Sequence, residues 1–369
     1  MKFLNTINHD LHGIKKLLLL SNLNNKNYSS VAVHSLFRDS CLMLYEIIKV
    51  LENEGILKEN ISIYKMIEPI RHKVKSSQGK NNRDIFKKIL QTHKDLFGDD
   101  IDNLGFYLEN SEFKGSTIFV TYVFDETPFF NSIDSGEKII KFSEEIGSSI
   151  ATIINIIQQP LLLPSNKTLS INEIDYEYKD VWHKRFFTED LRLNTCLMRL
   201  LIIQNEISSS LWVEKHLDYK MEDFNLDKYL LLRLSSIKFY QIMESLIDIK
   251  DRAPQYYSSL GLNELDELLS FYTTDLRKEI KVLRDLLHYS EEQINFFEYV
   301  TMEIEKDNNY VETVLQKILF DFFPSIQLKI SASLNISSIE SMSDWEKIRR
   351  RISTKFKRHL RYNLRNEPK

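Results

Sequence analysis

Apolar residues recur every three or four positions along most of this chain, the spacing that lays them on one face of an α-helix. From Val31 to about Glu54 they fall at Val33, Leu36, Leu44, Ile47, Ile48 and Leu51, and Gly55 stands where a helix C-terminus takes a glycine. A second helix is predicted over about 62–75, with Ile63, Ile67, Ile70 and Val74 on one side and a kink or later start at Pro69. A polar loop at 76–82 leads to a short helix at 83–97. Then the pattern changes. Residues 106–124, FYLENSEFKGSTIFVTYVF, are β-branched and aromatic around a polar turn and predict a β-hairpin. Asp134, with Glu137 beyond it, opens a further helix in capping-box fashion, running to Pro160.

The second half is more helical still. Amphipathic spacing predicts helices at 190–217, 228–249, 263–289, 292–306 and 310–323, the last stopped by Pro324. Next, Ile326, Leu328, Ile330, Leu334 and Ile336 fall at alternate positions, which predicts a strand with the hairpin of the first half as its partner. Ser343 and Glu346 form another capping box and open a C-terminal helix. Prolines and small polar residues between 160 and 178 mark a domain boundary. The expected fold class is mainly α: two helical-bundle halves with a small β hairpin and one further strand. The expected domains are a helical domain over 1–165 carrying the hairpin near 106–124, a helical bundle over 180–324, and a strand plus basic helix over 325–369.

Composition sharpens this. Nine glycines and seven prolines occur in 369 residues. Average usage would give about 26 and 18. Sandwiches, barrels and glycine-loop enzymes need φ > 0 positions that so few glycines cannot supply. No Gly-x-x-x-x-Gly-Lys, Gly-x-Gly-x-x-Gly, Gly-x-Ser-x-Gly or His-Glu-x-x-His sequence occurs. Nucleotide hydrolysis, redox chemistry and metal hydrolysis are therefore disfavoured, and neither a metal nor a cofactor is expected. Cys41 and Cys196 stand within apolar helical patterns and read as small core residues of a reduced, cytoplasmic protein. The longest apolar stretch, 150–163, is broken by Gln158, Gln159 and Pro160 and is too short to span a bilayer. No small-residue cleavage site follows the N-terminal apolar run, so a signal peptide is not expected.

Net charge is −4, but residues 345–369 carry +8 and the rest of the chain −12. In that tail Trp345, Ile348, Ile352, Phe356, Leu360 and Leu364 make one apolar face. Arg349, Arg350, Arg351, Lys355, Arg358 and Arg361 are among the cations covering the rest. Such a helix can dock its apolar side on the body and offer its cations to nucleic-acid phosphates. It can also lie on an anionic membrane, or neutralise an acidic body.

The helix predicted at 263–289 carries a second stripe, one residue round from its apolar face: Arg277, Lys281, Arg284 and His288. A guanidinium beside an imidazole on a rigid helix suits phosphodiester chemistry. The arginine stabilises charge developing on phosphorus while the histidine moves a proton near neutral pH. The bland alternative is cations snorkelling to solvent beside an ordinary surface histidine.

The run Leu283-Arg284-Asp285-Leu286-Leu287-His288-Tyr289-Ser290-Glu291-Glu292, closing a long helix, resembles the terminal motif of HEPN-type helical domains. The resemblance covers those residues and the helical context over 190–323. It implies an RNA-directed protein: a metal-independent endoribonuclease with Arg284 and His288 in a composite site between two facing domains. Toxin–antitoxin and antiphage defence are the settings it implies. Other members of the family are catalytically inert binding or scaffolding units. The short Arg284–His288 spacing, with only three residues between them, favours that second class.

The first half offers an echo. Ile70-Arg71-His72-Lys73-Val74-Lys75-Ser76 can be laid on 283–289, setting Arg71 on Arg284 and Lys75 on His288. A degenerate copy facing an intact one makes an internal pseudo-dimer, and chance recurrence in a Lys/Ile-rich chain is the alternative. Arg71, Arg284 and His288 are thus the candidate catalytic residues. Lys75, Arg277, Lys281 and the tail cations are the candidate nucleic-acid contacts. The competing expectation is a non-catalytic interaction protein for a protein or nucleic-acid partner, or a homodimer.

Overall fold

Caps and left-handed stops cut the chain into helices close to where the apolar spacing breaks. The computed structural model describes residues 3–21, 31–57, 63–76, 86–89, 91–93, 103–124, 135–157, 176–220, 223–286 and 294–365. The helices are α1 (Leu4–Ser21), α2 (Val33–Asn53), α3 (Ile63–Ser76), α4 (Thr117–Phe124) and α5 (Ser135–Ile157) in the first half. Then come α6 (Leu191–His216), α7 (Leu226–Arg252), α8 (266–285), α9 (Phe296–Lys306), α10 (310–334) and α11 (Asp344–Arg365). Two of these contain a π-helical turn, Tyr272–Leu276 in α8 and Gln316–Phe322 in α10. The strands are β1 (Asn103–Glu109), β2 (Glu112–Ser116) and β3 (Glu177–Trp182). The fold is therefore mainly α with a small hairpin and one further strand.

Polar caps start the central helices: Asp190 accepts from the amides of Arg192 (2.9 Å) and Leu193 (3.2 Å), and Asn225 from that of Lys228 (2.9 Å). Gly55, at φ +67°, ends α2 as its place in the sequence predicts. α3 runs through Pro69. Asp134, the predicted cap of α5, lies outside the described residues, as do the loop 77–82 and much of 83–97.

α6 and α7 pack on each other at the centre and are buried around most of their circumference. Around them α1 packs on α2 and α7, α2 on α3, α4 and α6, α8 on α7, and α10 on α6 and α7. Buried side chains from Phe3 to Ile336 form one hydrophobic cluster, to which 1–165, 180–324 and 325–369 all contribute.

The hairpin turns at Asn110 (φ 52°) and Ser111 (φ 67°), the two left-handed residues that a two-residue type I′ turn requires. Its second arm is shorter than the sequence predicts. β2 ends at Ser116, and TIFVTYVF is α4, with Ile118, Phe119, Tyr122 and Val123 buried. Packing on α2 and α6 overrides the strand propensity of those residues. Gly105 in β1 leaves room for Tyr178 of β3 and Thr117, both of which a Cβ would strike.

The strand predicted at 326–336 is a correction: Phe323–Leu334 is the last part of α10. Ile326, Ile330 and Leu334 are buried, but Leu328 is 59% exposed. A step of four residues satisfies both periods, and only Leu328 tells them apart. Pro324 does not stop the helix. It falls in the first turn of Phe323–Leu334, just after the π turn, where a missing N–H is tolerated. α10 nevertheless meets the hairpin, by side chains. The Phe113 amide donates to Ser331 Oγ (2.9 Å), and Lys114 Nζ donates to Gln327 Oε1 (2.9 Å). The third strand is instead β3, antiparallel to β1 from Asn103↔Trp182 to Leu108↔Glu177.

No helix among the described residues is long and apolar enough to cross a membrane. Cys41 and Cys196 are buried free thiols, and burial pushes the Cys196 pKa up to about 11.

Candidate functional site

The edge of α8 follows from its apolar stripe. Leu269, Tyr272, Leu276, Ile280 and Leu283 are buried, and α8 lies against α7. The flanking cations meet groups that α7 presents one turn apart. The Arg277 guanidinium forks onto Glu244, Nε to Oε1 at 2.8 Å and Nη2 to Oε2 at 2.7 Å. That hydrogen bond raises the Arg277 pKa above its ordinary value. Tyr272 also donates to Glu244 Oε1 (3.1 Å), and burial followed by the nearby carboxylate raises its phenol pKa. Arg284 lies over the Tyr240 ring at 4.5 Å and pairs with Asp285. Lys281 is exposed.

So Arg277 and Arg284 share a seam with Tyr240 and Glu244 as the sequence stripe implies, each already holding a partner. His288 lies outside the described residues. Arg71 and Lys75 are on α3, which packs on α2, α4 and α5, and only their helical backbone is described.

The basic tail helix is fixed at its start. Glu346 Oε2 accepts from the Ser343 amide (3.0 Å) and Ser343 Oγ from the Glu346 amide (3.2 Å), the capping box read from the sequence. Arg185 reaches Glu346 (3.3 Å) and the carbonyl of Glu340 (3.1 Å), and Lys347 reaches Asp180 of β3 (3.2 Å). The described part of the helix's apolar face is open: Trp345, Ile348, Ile352 and Phe356 are 69%, 46%, 64% and 62% exposed. Docking of those side chains on the body is therefore corrected. Arg349 is exposed, while Arg350, Arg351, Lys355, Arg358 and Arg361 are placed on the helix by their backbone.

A third constellation escaped the sequence reading. Arg38 of α2 is buried against Glu206 of α6 by both guanidinium branches, and its Nε donates to Asp39 at 3.1 Å. Lys238 of α7 completes the set, with Nζ 2.8 Å from Asp39 Oδ2 and donating to Ser35 (3.0 Å) and Ser209 (3.1 Å). Burial opposes the Asp39 charge, but Arg38 and Lys238 outweigh it and hold the carboxyl pKa low. Two cations and two anions balance inside the core. The legible signal was that α6 and α7 lack a polar face, so the charges inside them must be buried.

Among the described residues no group of three or more His, Cys, Asp or Glu is placed to hold a metal ion. No protein-family model, curated protein or solved structure matches this chain.

Proposed function

We propose that the chain is an RNA-directed, HEPN-like helical protein that engages single-stranded RNA through α11. The observation that carries this reading is the open aromatic and aliphatic face of α11 beside its cations. Lys and Arg neutralise phosphates and release counterions, and exposed rings such as Trp345 and Phe356 stack on unpaired bases. The −12 carried by the rest of the chain leaves the tail as the surface for an anionic partner.

Fluorescence anisotropy with a labelled oligouridylate tests it. With six phosphate contacts, affinity falls roughly 10²–10³-fold between about 50 and 200 mM salt. Deleting 345–369 abolishes binding. Trp345→Ala and Phe356→Ala weaken it without changing the salt slope, because stacking releases no counterions. Salt-independent affinity, or equal binding after the deletion, refutes the assignment. Binding to anionic vesicles and not to RNA replaces it with a membrane role.

Endoribonuclease activity is the second reading, with Arg284 and His288 assisted by Arg71, in a toxin–antitoxin or antiphage setting. It is favoured by the hold that Tyr240 and Asp285 keep on Arg284, four residues before His288 in the sequence. RNA cleavage in EDTA by wild type, Arg284→Ala and His288→Ala decides it. Equal rates in all three remove these residues from any chemistry.

A further inference from the structure

β1 and β3 turn Leu104, Phe106, Leu108 and Val181 into the core. Strand alternation therefore sets Gly105, Tyr107, Tyr178 and Asp180 together on the opposite face. Tyr107 and Tyr178 stand directly across from each other, with ring centres 5.5 Å apart. Gly105 has no side chain, and a Cβ there would lie 2.7 Å from Tyr178 Cε2. The Tyr178 ring leans across β1 into that room, with Tyr107 beside it. Tyr178 is nevertheless 51% exposed. A ring braced in this way loses little conformational freedom when a partner stacks on it.

The same face meets the start of α11. Asp180 takes Lys347 Nζ at 3.2 Å, and its carbonyl accepts from the Met342 amide at 2.9 Å. Tyr178 is two residues away, roughly 7 Å along the strand. It therefore stands beside the helix that carries Trp345 and the tail cations.

Charge divides the roles. The strands supply no surplus cation, since Glu109, Glu112, Glu177 and Asp180 stand against Lys114 and Lys179. On the tyrosine face Asp180 is neutralised by Lys347, and Glu109 lies 3.8 Å from Lys114. The positive surplus is on residues 345–369, at +8. What the sheet face offers is an aromatic surface, which suits a base and not a phosphate.

We infer that the outer face of β1 and β3 is a stacking platform for a base of single-stranded RNA, with Tyr178 as the ring the base lies on and Tyr107 as its support. The inference rests on α11 binding the RNA: α11 neutralises the phosphates, and the sheet holds a base that α11 does not.

Anisotropy with labelled oligouridylate on the full chain tests this, beside photocrosslinking to an oligouridylate carrying 5-iodouracil. Tyr178→Ala is expected to lower affinity at least about fivefold. The salt slope stays unchanged, because no phosphate contact is lost. Tyr178→Phe keeps the ring and should keep wild-type affinity. An unchanged urea midpoint shows that the variants fold, and the crosslink, expected at Tyr178 in the wild type, decides the matter without them. Wild-type affinity in Tyr178→Ala, equal losses in the Ala and Phe variants, or crosslinks confined to α11 overturn the platform while leaving the α11 reading in place. Absence of RNA binding by the wild type refutes both.

Discussion

A guanidinium taken out of water keeps its charge only where nearby carboxylates repay the lost hydration, and Arg38 meets that condition between Asp39 and Glu206. Arg38→Met leaves two carboxylates facing Lys238 alone, and a loss of about 3–5 kcal/mol in urea denaturation is expected. Pairing it with Glu206→Leu leaves Asp39 with Lys238, a balanced pair, and most of the loss returns. A double-mutant cycle reads that coupling. The same network gives stability a pH dependence of definite sign. Asp39 is held below its ordinary value of 3.8 in the folded chain and returns to it on unfolding. Its contribution is complete above that value and disappears as pH falls through and below it. The urea midpoint of the wild type should therefore drop below about pH 4, and Asp39→Asn should flatten that drop.

Individual helices stop and start where side chains can bond their ends. Asn295 caps α9 by accepting from the Glu298 amide (2.9 Å), and also accepts from Thr6 Oγ1 of α1 (2.7 Å). Asn295→Ala should cost about 0.5–2 kcal/mol. Hydrogen exchange should quicken at Glu298, while Asn295→Asp keeps the cap. Such ends were legible in the sequence at Gly55 and at Ser343 with Glu346, because capping is local chemistry. Segments ruled by tertiary packing were not. Thr117–Phe124 has the residues of a strand and is a helix because α2 and α6 bury it. Ile326, Ile330 and Leu334 fit both periods, and the exposure that singles out Leu328 exists only once the neighbours are in place. β3 carried no signal of its own, since its register is set by β1.

Taken whole, the molecule separates a charge-balanced interior from a cationic extremity. The open face of α11 contributes little to the core, so deleting 345–369 should leave the urea midpoint of the remainder nearly unchanged while the net charge goes from −4 to −12. A large drop in the midpoint would instead make neutralisation of the body the purpose of the tail. The helical class of the chain could be read from its missing glycines, and so could the cationic edges. Which cations are already engaged could not, because Glu244 and Tyr240 lie near Arg277 and Arg284 only in three dimensions. The π turn at Tyr272–Leu276 has a consequence for where the α8 edge faces. Each residue of an α-helix turns the chain by roughly 100°, and a π turn holds one residue more than its α counterpart. A one-codon deletion there would therefore restore an α turn and leave Arg277 and Arg284 facing Glu244 and Tyr240, whereas straightening the turn with every residue kept would swing them away. The π turn takes up the surplus residue, so that everything following it keeps its aim.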